Sequence, residues 1–168
     1  MADEFTDLTP EGKKYFAELK KLKKTEVVVG FQAGEASEDN GADLADVAAF
    51  NELGTSSTPP RPFMRQSFEN HEDVLRAACE DVNRTINNGG SAEEALNRLG
   101  VQVKGLVQSE IVDGGFAPNA PATIARKGSD TPLIDTVEKD RPLWAWIMQK
   151  EKYRQEYHDV LSKLIEGY

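Results

Sequence analysis

The residues in this chain best suited to catalysis or metal binding are two histidines, one cysteine and a surplus of carboxylates. A metal site or a nucleophilic triad needs its members at short, fixed spacing. His71 and His158 instead lie far apart on predicted helix faces rich in Glu and Lys, and the chain holds no HExxH, CxxC, GxSxG or glycine-rich phosphate loop. Asp113, Asp130 and Asp135 flank a long polar segment and are of the right type for acid–base work. Among 29 acidic residues, however, such a grouping is what simple loop anchoring also produces. Cys79 is alone, which excludes an internal disulfide, and its place on an apolar helical face reads as a small buried hydrophobe. The expectation is a protein that is not an enzyme and needs no metal or cofactor.

Charge narrows the partners. A net charge of -9 argues against direct, sequence-specific nucleic-acid binding, because duplexes are held by clustered Lys and Arg that neutralise phosphates. No apolar run approaches the ~20 residues of a membrane-spanning helix, and the opening MADEFTDLTP has no signal-peptide core, so synthesis in a reducing cytoplasm and no membrane partner are expected. The distribution of charge says more than its sum. Lys13, Lys14, Lys20, Lys21, Lys23 and Lys24 crowd the first predicted helix, whereas Glu35, Glu38, Asp39, Asp43, Asp46 and Glu52 follow with no basic residue among them. Either both are solvated faces of one subunit, or the acidic surface of one copy meets the basic surface of the next. A head-to-tail contact of the second kind generates a ring when its rotation closes.

The elements that must position these groups follow from caps and periodicity. Thr9-Pro10 is an N-cap and first-turn pair, and Tyr15, Phe16, Leu19 and Leu22 recur at helical spacing to about Lys23. TEVVVGF is β-branched, with Val27, Val29 and Phe31 on one face of a strand. Asp43 caps a short helix through Leu53 that Gly54 closes as a left-handed C′ residue. From Pro62 a single helix is predicted to Ile86, with Phe68, Leu75, Cys79, Val82 and Ile86 as its stripe. Ser91 and Glu94 form a capping box before a third long helix whose apolar face runs Ala92, Ala95, Leu96, Leu99, Val103, Leu106, Val107 and Ile111. Its interior Gly100 and Gly105 point to close backbone packing. From about Pro142, Leu143, Ile147, Tyr157, Leu161 and Leu164 suggest an amphipathic docking helix over 140–166, rich in aromatics such as Trp144 and Trp146. The 168 residues suit a single domain of α+β class, with a small mostly antiparallel sheet packed against two long helices and residues 115–136 as an extended loop arm.

Three motifs have no obvious role in a packed core: AFNELGT (49–55), PPRPFMR (59–65) and APNAPATIARKGSDTPLIDT (117–136). In order and spacing they resemble the head-tail joining and tail-completion (minor tail protein Z-like) proteins of tailed bacteriophages, over roughly residues 25–136. After Thr136 the chain departs from the pattern, since Val137 and a charged turn stand where relatives continue with Gly and a strand. The resemblance implies a structural virion protein forming a homomeric ring, commonly a hexamer, at the head-proximal end of the tail. Its implied partners are further copies of itself, a tail-tube or sheath protein and the head-connector or neck proteins. Interface candidates are then Asn51, Glu52, Gly54, Thr55, Arg61, Phe63, Arg65, Asn119, Arg126, Lys127, Leu133, Ile134 and Asp135, together with Lys20, Lys21, Lys23, Lys24, Trp144 and Trp146. Pro62 pushes Arg61 toward an extended backbone, so its guanidinium either projects to a carboxylate such as Glu52 of the same or the next subunit, or caps the local helix. The alternative of a different class is a monomeric acidic protein-binding module such as a DNA-mimic inhibitor.

Overall fold

Side chains that satisfy helix-end N–H groups set several element starts, as the sequence predicts. In the computed structural model, which describes residues 8–32, 34, 41–134 and 144–149, Thr9 Oγ1 accepts from the Gly12 N–H at 3.2 Å to open α1 (Pro10–Lys24). Asp43 does the same for α2 (Leu44–Leu53), accepting from the Ala45 N–H at 2.8 Å. Between them lies β1 (Thr25–Gly30). Four further helices follow, α3 (Phe63–Asn70), α4 (Glu72–Asn87), α5 (Ala92–Asp113) and α6 (Pro121–Lys127), and then a strand β2 (Trp144–Gln149) that pairs with β1.

The α+β expectation is therefore corrected to a mostly helical protein, in which the described sheet is only a two-stranded ribbon. A ribbon of two six-residue strands offers too little face for helices to pack on, and the apolar faces of the helices pack on one another instead. The helix expected from Pro142 is also overturned where the structure describes it, since residues 144–149 are a strand; the rest of that expected helix lies outside the described residues. The short continuous apolar run Trp144-Ala145-Trp146-Ile147-Met148 is compatible with a strand, a signal that the apparent helical stripe obscured.

The helix expected from Pro62 to Ile86 is broken at His71, whose backbone leaves helical geometry at φ -122°, ψ 26°. Its ring nitrogen Nδ1 lies 2.9 Å from the Ser67 carbonyl, the acceptor that a continuing helix would reserve for the backbone, and Glu72 and Asp73 then favour the new N-terminus. The break rotates the stripe. Ala78, Val82 and Ile86 are buried while Phe68 and Cys79 face outward, so Cys79 is not the buried hydrophobe expected of it. Gly105 is likewise exposed with open space where a side chain would stand, which removes the close packing expected there, while Gly100 is buried.

Two compact units emerge, each with its own core. Among the described residues the first comprises 8–28, 77–101 and 146–149, and the second 29–32, 34, 41–76, 102–134 and 144–145. In the first, Val82, Ile86, Ala92, Ala95 and Leu96 form the buried cluster, and Tyr15, Leu19, Leu22, Val27 and Leu99 pack around it. The turn from α4 into α5 is closed by a glycine pair: Gly89, at φ +79°, donates to the Ile86 carbonyl and Gly90 to the Thr85 carbonyl, both at 2.9 Å. In the second unit Phe63 and Val107 are the buried centre, ringed by Val29, Phe31, Ala48, Met64, Ile111, Phe116 and Leu133. Phe31 and Phe63 meet edge to face at 6.1 Å.

One ion inside the first unit escapes sequence reading. Glu18 occupies the apolar stripe of α1 and is buried there, with Oε2 accepting from the Ala92 N–H at 2.9 Å and Oε1 from Lys21 Nζ at 2.7 Å. A residue 74 positions away thus caps the start of α5. The Lys21 hydrogen bond, and after it the Ala92 N–H, hold the Glu18 carboxyl below its ordinary value of 4.5 against the opposing effect of burial. A carboxyl depressed in the folded state stabilises fully above its unfolded value and loses that contribution as pH falls through the folded one. Glu18→Ala is expected to cost about 1 to 2 kcal/mol at neutral pH. In thermal melts the gap between the wild type and Glu18→Gln should stay constant from neutral pH down to 4.5 and close below it; a gap unchanged well below that pH would refute the assignment.

Candidate functional site

The three motifs converge within the second unit, and the side chain that joins them is Arg61. It follows Pro59-Pro60 and precedes Pro62, so its backbone is stiff, and its N–H donates to the Asn51 carbonyl at 2.7 Å, pinning the proline run to the end of α2. Far from projecting to a partner, the side chain is only 7% exposed. Its guanidinium donates from Nε to the Ala117 carbonyl at 2.9 Å, and from Nη2 to the Pro118 carbonyl and to Asn119 Oδ1, each at 3.2 Å. Nη1 reaches Asn51 Oδ1 at 3.3 Å. Among the described residues no carboxylate pairs with it. The expected contact to Glu52 is thus corrected: carbonyl dipoles, placed by two asparagines and an extended segment, take the charge instead.

Glu52 has a different task. Its two oxygens accept from the Met64 N–H at 2.9 Å and the Arg65 N–H at 3.1 Å, which caps α3 where Pro62 offers no side chain of its own. Asn51 is tied back to α2 through Nδ2 and the Val47 carbonyl at 2.8 Å. Asn119, itself buried, accepts from Arg61 and donates to the Thr131 carbonyl at 3.2 Å, so it carries the knot on to the end of the third motif. Residues 117–134 accordingly find partners in their own chain. Within the segment expected as a loop arm, α6 forms behind Pro121 and ends at Gly128 in left-handed geometry.

Gly54 closes α2 at φ +77°, ψ 174°, a positive-φ extended conformation and not the left-handed helical one expected. A Cβ there would lie 2.9 Å from Pro60 N and 3.1 Å from the Thr58 carbonyl oxygen. Thr55 completes the turn, with Oγ1 accepting from the Thr58 N–H at 3.1 Å.

The other interface candidates divide by environment. Phe63 is core. Leu133 and Ile134 are half-buried, and Leu133 sits at φ +56°, a conformation that costs a branched side chain about 1 kcal/mol and that its packing in the apolar cluster offsets. Arg65 and Arg126 are exposed, as are Lys20, Lys21, Lys23 and Lys24 on α1, where Lys21 is engaged with Glu18. Lys127 ends α6 and Trp144 and Trp146 lie on β2, their side chains outside the described residues, as is Asp135 altogether. Of the acidic run, Asp43 is spent as a cap and Asp46 is exposed, whereas Glu35, Glu38 and Asp39 lie outside the described residues. No group of three potential ligands able to hold a metal ion occurs among the described residues, and no helix there is long and apolar enough to cross a membrane.

One apolar face also remains on the surface. α2 turns Ala49, Phe50 and Leu53 to solvent, with Phe50 58% and Leu53 75% exposed. The sequence reading missed this face, because a helix apolar nearly all round has no stripe to reveal which side is buried.

Arg61→Ala should destabilise the protein by about 3 kcal/mol or more, since four acceptors lose a charged donor, and Arg61→Lys should rescue little because an ammonium cannot span the same fork. Denaturant titration decides it; a lysine variant as stable as wild type would disprove the fork argument. Gly54→Val is expected to cost about 2 to 3 kcal/mol, as both the backbone region and the space against Pro60 exclude a side chain, and an unchanged melting temperature would contradict this. No protein-family model, curated protein or solved structure matches the chain, so the phage resemblance rests on the residues of the three motifs.

Proposed function

We propose that the chain is a structural virion protein of a tailed bacteriophage, assembling head to tail into a homomeric ring at the head-proximal end of the tail. The observation that carries this reading is that the motifs of the resemblance, with partners up to 58 positions from Arg61, meet in one hydrogen-bonded knot around it. The three motifs then belong to one local architecture. The knot fixes the end of α2, and α2 presents Phe50 and Leu53 to solvent beside the exposed Asp46. An exposed apolar face of this kind is covered when subunits associate. The occupant we assign is a second copy, whose α1 carries Lys20, Lys23 and Lys24 exposed and unlike in charge to the acidic segment around α2. A hexamer, with tail-tube and connector proteins as neighbours, follows from the resemblance alone.

Light scattering after size exclusion tests the reading, first on the protein alone and then with a tail-tube or connector protein. Wild type should run above the monomer. Phe50→Ser with Leu53→Ser should return it to monomer with circular dichroism unchanged, and Lys20, Lys23 and Lys24 reversed to Glu should weaken association more at low salt than at high, because exposed charges steer association and contribute little to stability. Lys21 is left in place, since reversing it would disturb Glu18. A stable monomer indifferent to both partners would favour the acidic binding module.

A further inference from the structure

The last turn of α5 and the end of α3 enclose a solvent-open polar cleft of about 400 Å³ that has no part in the Arg61 knot. Gln66, Asn70 and His71 line one side, and Ser109, Glu110 and Asp113 the other. Glu110 is the unusual member: it stands on the apolar face of α5 between Val107 and Ile111 and is only 5% exposed. A carboxylate so buried needs its lone pairs satisfied. Gln66 Nε2 at 2.7 Å and Asn70 Nδ2 at 3.2 Å both donate to the same oxygen, Oε1. Gln66 also donates to the Gly114 carbonyl at 2.8 Å, which fixes the orientation of its amide. The other oxygen, Oε2, has no partner among the described residues. Every fully buried side-chain nitrogen or oxygen there does have one, so Oε2 is not sealed from solvent, and Glu110 is among the residues that line the cleft.

The surroundings define what such an oxygen would hold. Asp113 lies one turn on from Glu110, on the same side of α5, and neither carboxylate forms an ion pair among the described residues. No Lys or Arg lines the cleft. The carboxylates and His71 do not assemble a metal-binding set, which leaves the cleft suited to an extended cation with several donors over a compact ion. We propose that this cleft binds a guanidinium group, one edge donating to Glu110 Oε2 and the other reaching toward Asp113 and Ser109. Its volume admits an arginine side chain with its alkyl stem. The site would exist in a monomer as well as in a ring, so it stands apart from the assembly proposed above.

Nuclear magnetic resonance titration of the full chain tests it, with Nα-acetyl-L-arginine N-methylamide as the peptide-like probe, free L-arginine as the small-molecule arm and the neutral citrulline analogue as control. The expected result is saturable shifts confined to the Ser109–Gly115 amides and the Gln66 and Asn70 side-chain amides, with the citrulline analogue at least about tenfold weaker. Glu110→Gln, which keeps an acceptor for the two amides, should weaken binding about tenfold, and the exposed Asp113→Asn severalfold with the melting temperature unchanged. Tighter binding of the capped probe than of free arginine identifies a polypeptide as the source, and the reverse order a small molecule, with guanidinium recognition supported in both. Absence of saturable shifts up to roughly 50 mM probe, equal binding of the citrulline analogue, or indifference to both substitutions would overturn the proposal.

Discussion

Within the second unit, the meeting of the three motifs follows from having to hold one buried cation with no carboxylate paired to it among the described residues. A guanidinium has five N–H donors in a rigid plane, and removing it from water requires acceptors at matching positions. Arg61 finds four of them, on Asn51 and on the three consecutive residues 117 to 119. That requirement draws the end of α2, the proline run and the segment before α6 into one place. It also explains why two asparagines stand in the motifs, since an amide supplies both an acceptor for the arginine and a donor for the next backbone carbonyl.

The same economy governs the carboxylates. Glu18 caps α5, Asp43 caps α2, Glu52 caps α3 and Glu110 anchors two amides, so part of the acidic surplus serves the interior. Net charge alone reads as a statement about partners. Burial shows that several of those charges answer to helix N-termini, where unsatisfied N–H groups favour an anion.

Local chemistry was legible in the sequence where it acts over a few residues: the caps at Thr9 and Asp43, the β-branched run of β1 and the apolar face of α5 all appear as their residue types imply. What stayed hidden acts over distance. Glu52 looks like an exposed acid until α3 starts beside it, Arg61 like a projecting cation until residues 117 to 119 fold over it, and the helix break at His71 carries a ring-to-carbonyl contact that spacing does not reveal. Two signals were nonetheless available, because Glu18 and Glu110 each sit inside an otherwise apolar helical stripe, and a lone carboxylate there needs a specific partner.

The long reach of the Glu18 cap has a consequence for the order in which the chain can acquire structure. During synthesis α1 emerges with its apolar residues Tyr15, Leu19 and Leu22 complete, but the N–H that Glu18 caps belongs to a residue 74 positions later. At ribosomal rates of roughly 5 to 20 residues per second, about 4 to 15 s pass before that partner exists. Through that interval α1 is a solitary amphipathic helix of 15 residues, near the length at which isolated helices are marginal in water. α1 thus waits on a partner made well after it, and the stripe it carries is not closed over until α5 arrives.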